Sequence, residues 1–346
     1  MTKNDIHSSE ASQGQRIVFI DLAKGFCITQ VVLYHVYGQL SGDVINIMTL
    51  FRMPLYFVLS GLFFKPYNGF WSFFKKKTNK LLIPFLLCYL FFNLPMAFLI
   101  DLKEGTNIPI RSLLSEDGFT PYLSINGAIW FLLCLFIVNI LFYLICMISK
   151  NIIIRIALSF ACGVTGWYLG VSDVSLYAWI DSALTATPFF VMGYIMRHYG
   201  TILYNKMSAF DYAIGALCLV LLIGIYYYNK SFNEVYIKYM YNRYDVNILT
   251  IYFGGIIGTY FILMLSKAFT HIPVLSYIGR YSVVILITHQ AYIFFIRNIL
   301  YQLSLPQDNA YLNFSIFVFL LLIELPTIKY GIKYLPVCFA QKDLWK

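Results

Sequence analysis

Between Arg16 and Gly38 an otherwise apolar run contains an acid, an amine and an imidazole: Asp21, Lys24 and His35. If the run is helical, the eleven steps from Lys24 to His35 turn it by about 1100°, leaving the two side chains about 20° apart and about 16.5 Å apart along the axis. On the same count Asp21 lies about 40° from His35. One stripe would then carry three groups able to give or take a proton, and the near-neutral intrinsic pKa of His35 suits a general base or a nucleophile. An Asp or Lys at the centre of a membrane helix costs about 2.5 to 3.5 kcal/mol, whereas each Leu or Ile returns about 0.3 to 0.6. Charges kept at that cost point to function. The alternative is an Asp21–Lys24 pair one turn apart, with Lys24 snorkelling and His35 bonded to a neighbouring helix. It accounts for Asp21 and Lys24 better than for His35.

Further polar residues punctuate the later apolar blocks. Arg52 opens the segment Phe51-Arg52-Met53-Pro54-Leu55-Tyr56-Phe57, at the same side as the His35 end of the first block. It either faces a common site with His35 or snorkels at the interface. Ser60-Gly61 lacks the Gly-x-Ser-x-Gly elbow of serine hydrolases and reads as small-residue helix packing. The run Lys75-Lys76-Lys77-Thr78-Asn79-Lys80 marks topology, and with Lys77 and Lys80 one turn apart it would also suit a polyanionic ligand. His289 follows Gly279-Arg280-Tyr281-Ser282 by about two turns inside an apolar block and reads as either a packed or a functional histidine. Glu324 reads as a buried counter-charge or an interfacial acid. The seven cysteines form no Cys-x-x-Cys pair and read as small core residues, with no metal site expected.

These residues need elements of bilayer length to hold them. The chain has 346 residues, 60% hydrophobic and 12% charged, about half the charge of a soluble domain. Its apolar blocks of roughly twenty residues match the hydrocarbon thickness. The expected fold is an all-α integral membrane bundle of about ten helices, spanning 17–38, 47–64, 81–100, 127–148, 152–170, 179–196, 209–228, 247–266, 282–303 and 311–330. A polar tail, 1–16, precedes a 17–330 membrane domain, and a basic tail, 331–346, follows it. The first apolar block reads as its own insertion signal. Most of the 25 Lys and Arg fall on one side of this arrangement, which by the positive-inside rule is the cytosol and holds both termini. The net charge of +9 is scattered over helix ends, so nucleic acid is not expected as a partner.

The ordered landmarks resemble the acyltransferase 3 family of bacterial membrane acyltransferases, in particular its fucose 4-O-acetylase-like sugar O-acetyltransferase branch. They are Lys24 and His35 with ten residues between them, Met53-Pro54-Leu55-Tyr56-Phe57 with Ser60-Gly61, the basic run into Pro84, Trp130-Phe131-Leu132, and Gly279-Arg280-Tyr281-Ser282 leading to His289. The resemblance implies a ten-helix enzyme of the bacterial cytoplasmic membrane that uses cytosolic acyl-CoA, usually acetyl-CoA. The acyl group would go to a polysaccharide or lipid-linked glycan, with membrane lipid around it. His35 would be the essential histidine and Lys24 its basic partner. Many members carry Arg where this chain has Lys24, and Arg-x-x-Arg where it has Lys77 and Lys80; a lysine meets phosphate as a point charge rather than a fork.

Acyl transfer from a thioester needs a base for the hydroxyl and donors for the oxyanion. The expected assignment is His35 as base with Asp21 orienting Lys24. Lys24, Lys77, Lys80 and Arg280 would hold the acyl-CoA phosphates, and Arg52, Trp130 and His289 would serve the acceptor or the oxyanion. Rival readings are a glycan or lipid transporter with a proton relay, and transfer of another acyl group such as succinyl.

Overall fold

The computed structural model describes residues 17–38, 42–104, 126–200, 203, 206–232, 235, 237–306 and 309–345, with backbone only at 100–104. The tail at 1–16 therefore lies outside the described residues. Helix α1 is Val18–Tyr37, and α2 (Asp43–Thr49) with α3 (Arg52–Gly61) makes the second crossing. Pro54 sits in the first turn of α3, where its missing N–H costs no helical bond. The next helices are α4 (Phe70–Leu99), α5 (Trp130–Ile148), α6 (Ile152–Val171), α7 (Ile180–Tyr199), α8 (Ala209–Lys230) and α9 (Ile248–Phe269). A short α10 (Pro273–Arg280) precedes α11 (Ser282–Gln302) and α12 (Ala310–Tyr334). The ten expected spans each find a helix.

Among the described residues nine of these crossings are long and apolar enough to span a membrane by length and composition. The tenth, α7, has 20 residues, about 30 Å at 1.5 Å per residue, but is more polar. It packs against α3, α5 and α6, and its buried hydroxyls are bonded within the protein. Ser182 donates to the Tyr239 carbonyl at 2.7 Å, Thr185 to Asn242 Oδ1 at 2.9 Å and Thr187 to the Ala183 carbonyl at 2.7 Å. A helix walled by protein has no need of an all-apolar surface.

Helix α4 corrects the expected span 81–100: it begins at Phe70, so the lysine run lies inside the helix. It also contains two π-type segments, Thr78–Leu82 and Tyr89–Asn93. Each ends two residues before a proline, Pro84 and Pro95. A proline ring clashes with the carbonyl four residues back, and widening the preceding turn makes room for it without breaking the helix.

Two close helix crossings seat α10 on α1 and α7 on α3. A Cβ on Gly25 of α1 would strike the Leu275 carbonyl oxygen of α10, and one on Gly279 would strike the Asp21 carbonyl oxygen. Gly61 of α3 and Gly193 of α7 meet the carbonyl oxygens of Phe190 and Val58 in the same reciprocal manner. Small residues let backbones approach where apolar burial between helices gains little over lipid. The packing expected of Ser60-Gly61 is thus present, and Gly279 serves to seat α10 on α1.

The polar connection between α8 and α9 folds inward. Strands β1 (Ile237–Lys238) and β2 (Arg243–Tyr244) pair antiparallel, Ile237 with Tyr244 and Lys238 with Arg243. The turn passes through Asn242 at φ 49°, a left-handed conformation that asparagine tolerates. Asn242 is fully buried; its amide donates to the Gly166 carbonyl at 2.7 Å and its Oδ1 accepts from Tyr244 at 2.8 Å. At the opposite, lysine-rich face the C-terminal segment folds back on α4. Lys76 and Lys80 reach Asp343 at 2.9 and 3.1 Å, and Lys80 also donates to the Ala340 carbonyl at 2.6 Å.

Candidate active site

The ends of α1, α3, α5 and the β1–β2 hairpin, with the middle of α11, enclose a cavity of about 580 Å³ on the side away from the lysine-rich face. His35, Arg52, Trp130 and Gln290 line it, with Tyr34, Tyr56, Phe131, Tyr239 and Tyr241 supplying aromatic walls. Its wall mixes these aromatic faces with the polar groups of His35, Thr49, Arg52, Lys238, Gln290 and Arg297.

His35 is oriented by a chain that starts in the backbone. Asn126, fully buried before α5, donates to the Ile287 carbonyl of α11 and tethers the first turn of α5 there. The Ala128 N–H then donates to Gln290 Oε1 at 2.9 Å. With its oxygen so occupied, Gln290 presents its NH₂ to His35, 2.8 Å from Nδ1 and 3.3 Å from Nε2. A backbone N–H can only donate, so the amide orientation is fixed and Nδ1 is an acceptor; the neutral imidazole then carries its hydrogen on Nε2.

His289 lies behind this pair. It is fully buried and absent from the cavity wall, with its ring centre 5.2 Å from that of His35. Its Nδ1 donates to the Ile285 carbonyl at 2.6 Å, and its Nε2 has no hydrogen-bond partner. Glu324 is also fully buried, with the Thr288 hydroxyl 2.7 and 2.9 Å from its two oxygens.

The other expected site residues lie elsewhere. Asp21, Lys24, Lys77, Lys80 and Arg280 are not among the described residues lining the cavity. Lys24 Nζ sits 4.7 Å from the Phe63 ring centre at the lysine-rich end of α3. Lys77 is half-buried 5.8 Å from the Phe73 ring, and Arg280 is exposed 5.3 Å from the Tyr281 ring. The structure thus groups His35, Arg52 and Trp130 directly, places His289 one layer back, and leaves the five remaining residues toward the opposite face. Helix α1 is unbroken from Val18 to Tyr37, so the axial separation of about 16.5 Å between Lys24 and His35 stands.

A model of the acyltransferase domain, acyltransferase 3, matches residues 17–327. The chain belongs to this acyltransferase 3 family. Comparison with curated proteins and with solved structures returned no match. The chain is therefore a multi-pass membrane acyltransferase, and the matched region takes in every residue of the cavity wall. In this acyltransferase, sequence reasoning missed Gln290 and the hairpin. Gln290 stands beside His289 in a helix, about 100° around it, and a neutral amide leaves little mark in an apolar block. The hairpin reads as polar loop because its buried groups satisfy one another only after folding.

Proposed function

We propose that this membrane acyltransferase moves an acyl group, most simply acetyl, from cytosolic acyl-CoA to a hydroxyl of a bacterial cell-surface polysaccharide or its lipid-linked precursor. The observation carrying this reading is His35 held by a backbone-anchored Gln290 in an aromatic-walled cavity. Aromatic faces are the surfaces on which sugar rings stack, and a fixed imidazole is the group that a sugar hydroxyl needs in order to attack a thioester.

The acceptor hydroxyl displaces the Gln290 N–H from a ring nitrogen of His35, which takes the hydroxyl proton as the C–O bond forms. The tetrahedral oxyanion is met by the N–H and O–H donors of the cavity wall. Collapse breaks the C–S bond, and His35 returns the proton to the departing thiolate. Trp130 packs the acceptor, and His289 supports the His35 ring from behind. At the lysine-rich face, taken as cytosolic, Lys24, Lys77, Lys80 and Arg280 hold the phosphates of the donor, with Asp21 orienting Lys24. The pantetheine arm would span the length of the α1 stripe.

The test is a strain lacking the native protein and complemented with His35→Ala. Envelope glycan compared by mass spectrometry before and after mild alkali should lose its ester-linked acyl groups while the protein inserts normally. Unchanged acyl content per sugar would falsify the reading. The same spectra identify the acyl group and the sugar.

A further inference from the structure

Arg52 is nine-tenths buried and lines the cavity, and its Nη1 has no hydrogen-bond partner. Its guanidinium carbon lies 3.5 Å from the centre of the Tyr34 ring, a cation–π contact with a neutral partner that leaves the charge in place. Ion pairs among the described residues include Lys76 and Lys80 with Asp343, Lys230 with Asp43, and Arg243 with Asp173, and Arg52 enters none of these. The cavity wall holds the cations Arg52, Lys238 and Arg297 and, among the described residues, no Asp or Glu. A desolvated cation without a counter-ion is unfavourable unless a ligand supplies one.

A transition-state oxyanion lasts too short a time to neutralise Arg52 before the reaction begins, whereas a fixed anion on a bound substrate does so throughout. We propose that Arg52 seats a permanent anion, a carboxylate or phosphate, carried by the acceptor sugar that His35 acylates. The acceptor class is then an acidic or phosphorylated glycan rather than a neutral one. Arg52 suits this role because its planar donors match carboxylate and phosphate oxygens two at a time. The inference rests on the acyl-transfer reading for the identity of the ligand, and binding can be measured without donor.

The experiment uses the full chain in lipid nanodiscs and two matched probe pairs. One is a glucuronic-acid oligosaccharide and its carboxyl-reduced form; the other is a sugar phosphate and its dephosphorylated form. Equilibrium binding is followed by tryptophan fluorescence. The wild type should bind the anionic member of at least one pair about tenfold or more tightly, the range of a charge-assisted hydrogen bond. The pair showing this separates carboxylate from phosphate. Arg52→Gln should bring the two members to equal affinity. Should that variant fail to fold, Arg52→Lys keeps the charge and loses the fork, and should weaken the anionic member alone. Equal binding of both members of both pairs by the wild type overturns the proposal. So does a preference that survives Arg52→Gln, or an Arg52→Lys variant that weakens both members alike or neither. An effect of Arg52→Gln confined to the KM of a dicarboxylic acyl-CoA, relative to acetyl-CoA, also overturns it, because the anion would then belong to the donor. An anion preference that persists in a protein transferring no acyl group counts against the acyl-transfer reading alone.

Discussion

At the scale of the residue, the proposed mechanism makes His35 the group that titrates and Gln290 the group that holds its ring in place until the acceptor hydroxyl arrives. His35→Ala should lower turnover by about 10² to 10⁴, the usual worth of a general base, measured with radiolabelled acyl-CoA in membranes. Gln290→Ala should leave the protein folded and lower kcat by about 10- to 100-fold with little change in acceptor KM, because it loosens the imidazole while the aromatic walls of the cavity stay in place. An equal rise in KM would instead make Gln290 a contact of the acceptor. The two residues differ in how they announce themselves. His35 and Arg52 stand out in the sequence because a titratable or charged side chain in an apolar block is costly and needs a reason. Gln290 takes its meaning from the Ala128 N–H, 162 residues away. No periodicity within α11 encodes that meeting.

At the scale of the element, the lysine cluster of α4 serves the C-terminal segment as well as any ligand. Asn79 Oδ1 accepts from the backbone N–H groups of Leu344 at 2.9 Å and Trp345 at 2.8 Å, and its amide donates to the Trp345 carbonyl at 2.7 Å. The hydrogen bond from Lys76, and then that from Lys80, hold the Asp343 carboxyl below the usual carboxylate range. A carboxyl whose folded pKa is depressed contributes stability above its unfolded pKa, about 3.9, and loses it as the pH falls through the lower folded value. Hydrogen exchange should therefore show the Leu344 and Trp345 amides protected at neutral pH and released in strong acid. In Asp343→Asn they should exchange faster at neutral pH as well. If the same cluster also binds donor phosphate, Lys77→Ala with Lys80→Ala should raise the acyl-CoA KM more than it lowers kcat. An unchanged KM would confine the cluster to topology and tail docking. The helices were legible from apolar blocks of bilayer length, but the start of α4 at Phe70 was not, because lysines within a helix look like the end of one. The seat of α10 on α1 was equally hidden, since Gly25 and Gly279 gain their roles from each other's backbone.

At the scale of the whole molecule, the structure divides the chain into two polar faces joined by apolar helices, and the chemistry proposed here depends on which face is which. The Asp343 contacts put the end of the chain on the same face as the lysine cluster of α4. The cavity lies toward the other end of the helices, where the α8–α9 connection returns as β1 and β2. Lysines near helix ends favour the cytosolic side during insertion, so the lysine-rich face should be cytosolic and the cavity should lie toward the outer leaflet. Reporter fusions made after Lys230 and at the C-terminus should then give opposite signals, active outside for the first and inside for the second. Two fusions on the same side would break the count of ten crossings. Opposite signals with the C-terminus outside would keep the fold and turn it over, putting the cavity in the cytosol, where an acceptor would be met before export. Only the predicted orientation would leave the proposed donor phosphates and acceptor sugar on different sides of the membrane, with the α1 stripe from Lys24 to His35 as the path between them.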